Sequence, residues 1–283
     1  MGHPDFVKCC LPARLPESHK GTYGTLLSVC GSYGMAGAAV FAARAASRVG
    51  TGLVKAALPA SIYPIAAVQV PETVFVPLPE TTSDKQLDCL LPHLSSASAV
   101  LVGCGLGQSS QALDILVSLL RQTKCPLVLD ADGINLAAQH ISIKETVHSP
   151  LILTPHPMEL ARLLGCTVEQ VQKDRSAAAV TAAKQTGSIV VLKGHRTVVA
   201  DANGVQWINT TGNAGMATAG MGDVLAGMIA GLLAQGVSAM DAACGGVYLH
   251  GLAGDKAAKR LSQRSLLPSD VLEELGTLFA DWE

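Results

Sequence analysis

Asn209-Thr210-Thr211-Gly212-Asn213-Ala214-Gly215-Met216-Ala217-Thr218-Ala219-Gly220-Met221-Gly222-Asp223 runs straight into an apolar helical pattern, and this stretch decides how the rest of the chain is read. Its residues are mostly small or conformationally permissive, so several backbone N–H groups can turn toward one point without Cβ obstruction. The unpaired N–H groups opening the following helix add their partial positive charge, which makes the loop a seat for an anion. A carboxylate at Asp223 can take a proton from an attacking hydroxyl while the backbone of Gly220 and Gly222 stabilises a phosphoryl group in transit. Asp is also a preferred helix N-cap, and glycine loops often only turn the chain; the long small-residue loop in front of Asp223 favours the catalytic reading.

Downstream, Val224, Leu225, Met228, Ile229, Leu232 and Leu233 form one helical stripe, and Ala226, Gly227, Ala230, Gly231 and Ala234 form a second, small face. A helix apolar all round is expected to be buried, and Gly236 ends it. Upstream, two short runs at 198–200 and 205–208, joined through Asp201-Ala202-Asn203-Gly204, read as an edge hairpin that delivers the chain to the loop. Further back, strand and helix patterns alternate. Strands are expected at 26–30, 53–58, 99–102, 127–130, 151–154 and 188–192, and helices at 35–49 and after Gly107, the latter with Leu113, Leu116, Val117 and Leu120 on one face. This order predicts a three-layer α/β/α fold with a mostly parallel central sheet, whose ligands gather beyond the carboxyl ends of the strands. Residues 71–83, with three prolines, read as a surface excursion. No linker divides the chain, so residues 1–283 are expected to form one domain.

Composition narrows the function. Of 283 residues, 49% are hydrophobic and only 15% charged, so a large core leaves little charged surface, and burial between identical subunits is expected. A net charge of -2 without a basic cluster argues against nucleic-acid binding. The longest low-charge stretch, 224–238, is shorter than the roughly 20 residues that span a bilayer. The first residues lack the apolar core of a secretion signal, so a cytoplasmic location is expected. The eight cysteines show no Cys-x-x-Cys spacing and read as reduced packing residues, Cys104 of Gly103-Cys104-Gly105 among them.

Three further loops carry polar chemistry at expected strand ends. Lys193-Gly194-His195-Arg196-Thr197 can meet nucleotide phosphates, although a charged hairpin start has the same composition. Thr154-Pro155-His156-Pro157-Met158-Glu159 places a histidine and a carboxylate in a loop stiffened by two prolines, where a structural histidine is the competing reading. Asp130, Asp132 and Asn135 follow another strand, where carboxylates arrange water, magnesium or substrate hydroxyls, and where Asp132 can equally cap a helix.

Together these blocks resemble the ADP- or ATP-dependent NAD(P)H-hydrate dehydratases, carbohydrate-kinase-like members of the ribokinase-fold superfamily. The resemblance runs in order through His19 to Gly24, Gly34-Met35-Ala36-Gly37-Ala38-Ala39, Arg48 to Val54, Gly103 to Gly107, Asp130 to Asn135, Thr154 to Glu159, Lys193 to Thr197 and Thr211 to Asp223, about nine-tenths of the chain. It implies a ribokinase-like fold and a metabolite-repair lyase that phosphorylates the C6 hydrate of NADH or NADPH from ADP, or ATP, and eliminates phosphate. It further implies that Asp223, with Gly220 and Gly222, carries the chemistry. Lys193, Gly194, His195, Arg196, Thr197 and Gly222 would contact the nucleotide. Ala38, Ala39, Gly105, His156 and Asp223 would contact the hydrated dinucleotide, and Glu159 and Asp130 would support Mg2+. A homo-oligomer, for which a tetramer is one form, and cooperation with a separate hydrate epimerase are implied as well. Cys104 and Ala214 replace usual prolines, Met158 replaces a usual glycine, and Ala219 and Met221 stand in the usual Gly-Gly-Thr-Gly-Asp. An alcohol kinase of the same fold and a non-catalytic adenine-nucleotide sensor are the competing functions.

Overall fold

The computed structural model describes Val7 and residues 10–282; Cys9 and the N-terminal residues read for a secretion signal lie outside the described residues. In chain order the elements are β1 (Thr25–Val29), α1 (Ala36–Arg48), β2 (Leu53–Pro59), α2 (Tyr63–Gln69), β3 (Val74–Leu78), α3 (Ser83–Leu94), β4 (Ala99–Val102), α4 (Ser110–Gln122), β5 (Leu127–Leu129), α5 (Asp132–His140), α6 (Ile143–Thr146) and β6 (Leu151–Leu153). They continue with α7 (Pro157–Leu164), α8 (Val168–Lys173), α9 (Arg175–Thr186), β7 (Ile189–Leu192), β8 (Val198–Ala200), β9 (Gln206–Ile208), α10 (Met221–Ala234), α11 (Ala239–Leu261) and α12 (Pro268–Ala280).

One nine-stranded sheet has the order β3-β2-β1-β4-β5-β6-β7-β8-β9. The first seven strands run parallel, and the β8–β9 hairpin closes one edge antiparallel. Successive residues of each strand face opposite sides, and two cores follow from that alternation. Leu26, Ala56, Leu101, Val128 and Val191 pack with α1, α10, α11 and α12, whereas Leu27, Val100, Val102, Leu129 and Leu192 pack with α4, α5, α7 and α9. The expected three layers are therefore present. β1 leads leftward to β2 and β3 while β4 starts the rightward march, so the loops after β1 and β4 flank the topological switch point where ligands of such sheets bind.

The small face of α10 lets it lie against α1. A Cβ on Gly227 would collide with the Ala42 carbonyl, and one on Gly231 would come 2.7 Å from Val49 Cγ2. This close approach explains why a helix with so little polar character tolerates two interior glycines.

Two expectations are corrected. Residues 71–83 include β3, an edge strand paired with β2, and reach the first residue of α3. Pro77 misled the reading because it cannot donate to a ladder, but at an edge the missing donor faces no partner strand. The buried face of α4 is rotated from the expected one and centres on Ala112, Ile115, Leu116, Leu119 and Leu120, with Leu113 and Val117 at its margin. Among the described residues no helix is long and apolar enough to cross a membrane.

Candidate active site

The anion loop is held by its own turns and also by α11. Asp255 accepts hydrogen bonds from Gly212 N and Asn213 Nδ2, both at 2.9 Å, and Thr211 Oγ1 donates to the Tyr248 carbonyl at 2.9 Å. Gly251 is required beneath it, since a Cβ there would collide with Thr211. The loop then reaches Gly220, whose φ of 93° belongs to the left-handed region and on which a Cβ would come 2.8 Å from Phe41 and 3.0 Å from Pro268. Gly220 is the cap of α10 and brings no side-chain acceptor, so the first-turn N–H groups of the helix stay available to an anion. Asp223 lies inside the first turn; it does not serve as the N-cap.

Asp223 points to the ends of β4 and β5. One ligand atom each of Asp223, Asp130 and Cys104 lies within 4.8 Å of the others. Burial, and then the neighbouring Asp130 charge, push the Asp223 carboxyl up to about 6, while Lys193 opposes the shift. A base that titrates just below neutrality is ionised at neutral pH yet still has appreciable proton affinity. Lys193 Nζ sits 2.7 Å from Asp130 Oδ1 and 4.0 Å from Glu159 Oε2. Burial alone would depress this ammonium, but Asp130 and Glu159 more than offset it and hold it above the ordinary lysine value. A Cβ on Gly222 would stand 3.4 Å from Nζ, so the first turn of α10 and the lysine share one space.

Cys104 Sγ lies 3.5 Å from Asp130 Oδ2, and a hydrogen bond with Cys30, burial and the nearby carboxylates raise its thiol well above the usual cysteine range. It is a protonated packing group and a poor nucleophile, as the sequence suggested. Cys30, Cys89, Cys125, Cys166 and Cys244 are likewise reduced.

The loop from Lys193 to Thr197 and Gly222 line one cavity of about 750 Å3, together with Asn209, Thr211 and, from the anion loop, residues 212–214 and 216–219. Thr197 is buried and donates Oγ1 to the Gly194 carbonyl at 3.0 Å, while Arg175 donates to the carbonyls of Leu192 and Lys193 at 3.0 and 3.2 Å. Ala38 and Gly105 lie against each other: a Cβ on Gly105 would come 2.8 Å from Ala38 Cβ. Ala39 is buried and packs near Gly31. Ala38, Ala39, Gly105 and His156 do not line the large cavity.

His156 and Glu159 are engaged in local structure. His156 Nδ1 accepts from Met158 N and Glu159 N at 3.1 and 3.2 Å, and Glu159 Oε2 accepts from His156 N at 2.8 Å, a reciprocal capping box that starts α7. His156 Nε2 also meets Glu159 Oε1 at 3.2 Å. Burial raises the Glu159 carboxyl and Lys193 opposes that rise. Asp132 caps nothing; its carboxylate accepts from Gly107 N at 2.9 Å and Gln108 Nε2 at 3.0 Å, which fixes the loop after β4.

Oxygen donors of this kind suit a hard cation. Around Asp130 and Glu159, however, the cation position is taken by the Lys193 ammonium, and the third member of the tight cluster is a protonated thiol. These residues do not form an all-protein magnesium cage; they fit an ion that arrives on phosphate groups and keeps its water.

Sequence reading missed Arg175, Asp255 and His250. His250 lines the large cavity from α11, and burial, then Lys193, lower its pKa to about 4, so it is neutral at physiological pH. Asp255 and His250 come from one helix five residues apart, beside Gly251 and Gly254, and that run of small residues within a long helix was the available signal.

A family model described as NAD(P)H-hydrate dehydratase matches residues 26–276. An ADP-dependent (S)-NAD(P)H-hydrate dehydratase of Neisseria meningitidis serogroup B is 44% identical over 246 residues, 86% of this chain and 80% of that protein. A bifunctional NAD(P)H-hydrate repair enzyme of Moorella thermoacetica is 44% identical over 269 residues, 94% of this chain and 51% of that enzyme. The chain thus spans about half the length of the bifunctional relatives it matches. The crystal structure of an ADP/ATP-dependent NAD(P)H-hydrate dehydratase from Bacillus subtilis, co-crystallised with ATP and Mg2+, superposes with a TM-score of 0.83 at 32% identity, covering 98% of this chain and 96% of that one. The fold is the ribokinase-like one shared by such structures.

Proposed function

The chain belongs to the NAD(P)H-hydrate dehydratase family, and from that premise we propose that it uses ADP, or ATP, to dehydrate the C6 hydrate of NADH or NADPH. The observation that carries this reading is the base-and-cradle pair: Asp223, raised to about 6, stands in the first turn of a helix whose cap supplies no competing acceptor.

Hydroxide is a poor leaving group, and phosphorylation removes that obstacle. Asp223 takes the proton of the C6 hydroxyl as its oxygen bonds to the terminal phosphorus of the donor, and the bond from that phosphorus to the bridging oxygen breaks, releasing AMP when ADP is used. Backbone N–H groups at Gly220 and Gly222 stabilise the charge on the phosphoryl oxygens. The ring-nitrogen lone pair then expels phosphate, and loss of a C5 proton restores the dihydronicotinamide. Lys193 lies between Asp130 and the α10 N-terminus, where its ammonium balances the carboxylates until phosphate arrives. Gly194, His195, Arg196 and Thr197 contact the donor nucleotide in the 750 Å3 cavity. Ala38, Ala39, Gly105 and His156 receive the hydrated dinucleotide from the other side. Mg2+ bound with the donor would supply charge neutralisation at its phosphates, and Asp130 and Glu159 are the residues that would hold it.

The chain's low charge and the exposed Tyr63, Ile65, Val68 and Val74 on α2 and β3 support a homo-oligomer, which sedimentation at micromolar concentration checks. A hydrate epimerase would supply the reactive epimer.

The test mixes the protein with Mg2+ and hydrated NADH, with ADP, ATP or neither, and follows dihydronicotinamide absorbance beside phosphate release. Nucleotide-dependent recovery in equal amounts is expected. No recovery with either donor, while a panel of alcohols yields stable phosphate esters, would make the chain a kinase.

A further inference from the structure

The loop after β4 reads Gly103-Cys104-Gly105-Leu106-Gly107, and all three of its glycines lie in the left-handed region, at φ 120°, 60° and 80°. Glycine loses more conformational freedom on folding than any other residue and brings no side chain to pack, so this loop has little means of holding its own shape. Within it, Leu106 N donates to the Gly103 carbonyl at 3.1 Å. From the β1 side, Gly31 N donates to the Cys104 carbonyl and Ser32 Oγ to the Gly105 carbonyl, both at 2.8 Å. The far end is fastened from α5, where the Asp132 carboxylate accepts from Gly107 N at 2.9 Å and from Gln108 Nε2 at 3.0 Å. Both of these bonds go to the loop, and α5 receives no side-chain cap.

A strained turn aims Asp132 at this loop. Asp130 and Asp132 are separated by Ala131, whose φ of 47° and ψ of −115° form a conformation that a residue with a Cβ rarely adopts. The turn gives the two carboxylates different partners: Asp130 accepts from Thr154 Oγ1 at 2.6 Å and Lys193 Nζ at 2.7 Å, while Asp132 holds Gly107 and Gln108. Such a residue persists where its surroundings fix it from both sides, and residues of this kind gather at functional sites. The two loops are also in close contact, because a Cβ on Gly103 would collide with the Asp130 carbonyl and come 2.7 Å from Gly133 N.

The loop held in this way bears on the reaction at two residues. Cys104 Sγ packs beside Asp130 and Asp223, and Gly105 lies against Ala38. We propose that Asp132 is a positioning residue for the dehydration: it acts through Gly105, whose place beside the hydrated dinucleotide it sets by anchoring Gly107. The proposal rests on the dehydratase reading above. A backbone N–H bonded to a carboxylate is held about twice as strongly as one bonded to a neutral acceptor, so the charge of Asp132 matters as well as its shape.

The test compares Asp132→Ala with Asp132→Asn, which keeps an acceptor for Gly107 N without the charge. Steady-state kinetics with hydrated NADH, Mg2+ and ADP or ATP are run at pH 8, well above the Asp223 value of about 6, so the base stays ionised in every variant. The KM for the hydrate should rise roughly tenfold in Asp132→Ala and roughly threefold in Asp132→Asn, with the nucleotide KM within about twofold of the unsubstituted protein. Hydrogen exchange follows the loop without reference to activity: residues 103–108 should exchange roughly tenfold faster in Asp132→Ala, and residues 212–219 should not change. A structural role alone lowers the melting point and the active fraction and leaves both KM values where they were. A hydrate KM unmoved in both variants, or equal rises for hydrate and nucleotide, would overturn the proposal while repair stands. Should Asp132→Ala fail to fold, Asp132→Asn carries the same comparison at its smaller size. No repair by the unsubstituted protein with either donor would instead sink the dehydratase reading, and the role of Asp132 in that reaction with it.

Discussion

The start of α7 and the start of α10 are built from similar material and used in opposite ways. Both follow loops at the carboxyl side of the sheet, and both carry an acidic residue in the first helical turn. At α7 the charge is consumed locally: His156 and Glu159 cap each other's backbone, and prolines hold the entry. At α10 the cap is a glycine in the left-handed region, the acid is pushed up to about 6, and the helix N–H groups wait for a ligand. A helix N-terminus becomes a reaction site when its own side chains leave it unsatisfied, and the resulting strain and buried charge are offset by packing elsewhere, here α10 against α1.

The largest expected effect comes from removing the acid that separates the two. Asp223→Asn keeps the shape and should lower turnover by roughly 100-fold or more with nucleotide affinity little changed, as read by steady-state kinetics and calorimetry. Its stability should move the other way. The folded pKa of about 6 lies above the ordinary 3.8, so ionisation costs folding energy that is absent below pH 4 and complete above pH 6. The variant should match the wild type at pH 4 and exceed it by up to about 3 kcal/mol at pH 8 in denaturant melts. Normal turnover would end the distinction between the two helix starts.

The pH profile is the next effect in size. With Asp223 as the base, kcat/KM should fall by about tenfold per unit below pH 6 and level off above it; a flat profile from pH 5 to 8 would assign the base elsewhere. Gly220→Ala tests the strained cap. A side chain at φ 93° that meets Phe41 at 2.8 Å should cost about 2–3 kcal/mol in chemical denaturation. The smallest effect belongs to α7. His156→Ala should cost about 1 kcal/mol as a lost cap, and His156→Asn should recover most of it. Any rise in KM that persists in His156→Asn measures contact with the hydrated dinucleotide; unchanged KM in both variants would confine His156 to capping.

Much of this molecule was legible in order along the chain. Apolar runs followed by glycine or polar turns gave the strands, and the loop from Asn209 to Asp223 marked the candidate site, because both depend on neighbours in sequence. Partners distant in sequence were not legible. Asp255 holding Gly212, Arg175 bracing Lys193, and His250 facing the cavity all come from other elements. Lys193 read as a phosphate ligand, yet its 2.7 Å pairing with Asp130 is set by the parallel alignment of β5, β6 and β7.

The sequence by itself determined the α/β alternation, the buried helix α10 and the presence of a carboxylate at the end of a glycine-rich loop, since periodicity, glycine content and local capping chemistry are short-range properties. The tertiary structure alone decided that β3 is a paired edge strand, that His156 and Glu159 spend their polar atoms on each other, and that burial beside Asp130 shifts Asp223 to about 6. Those outcomes depend on which groups meet across the sheet and how much water is excluded between them, and both are fixed only when distant segments pack.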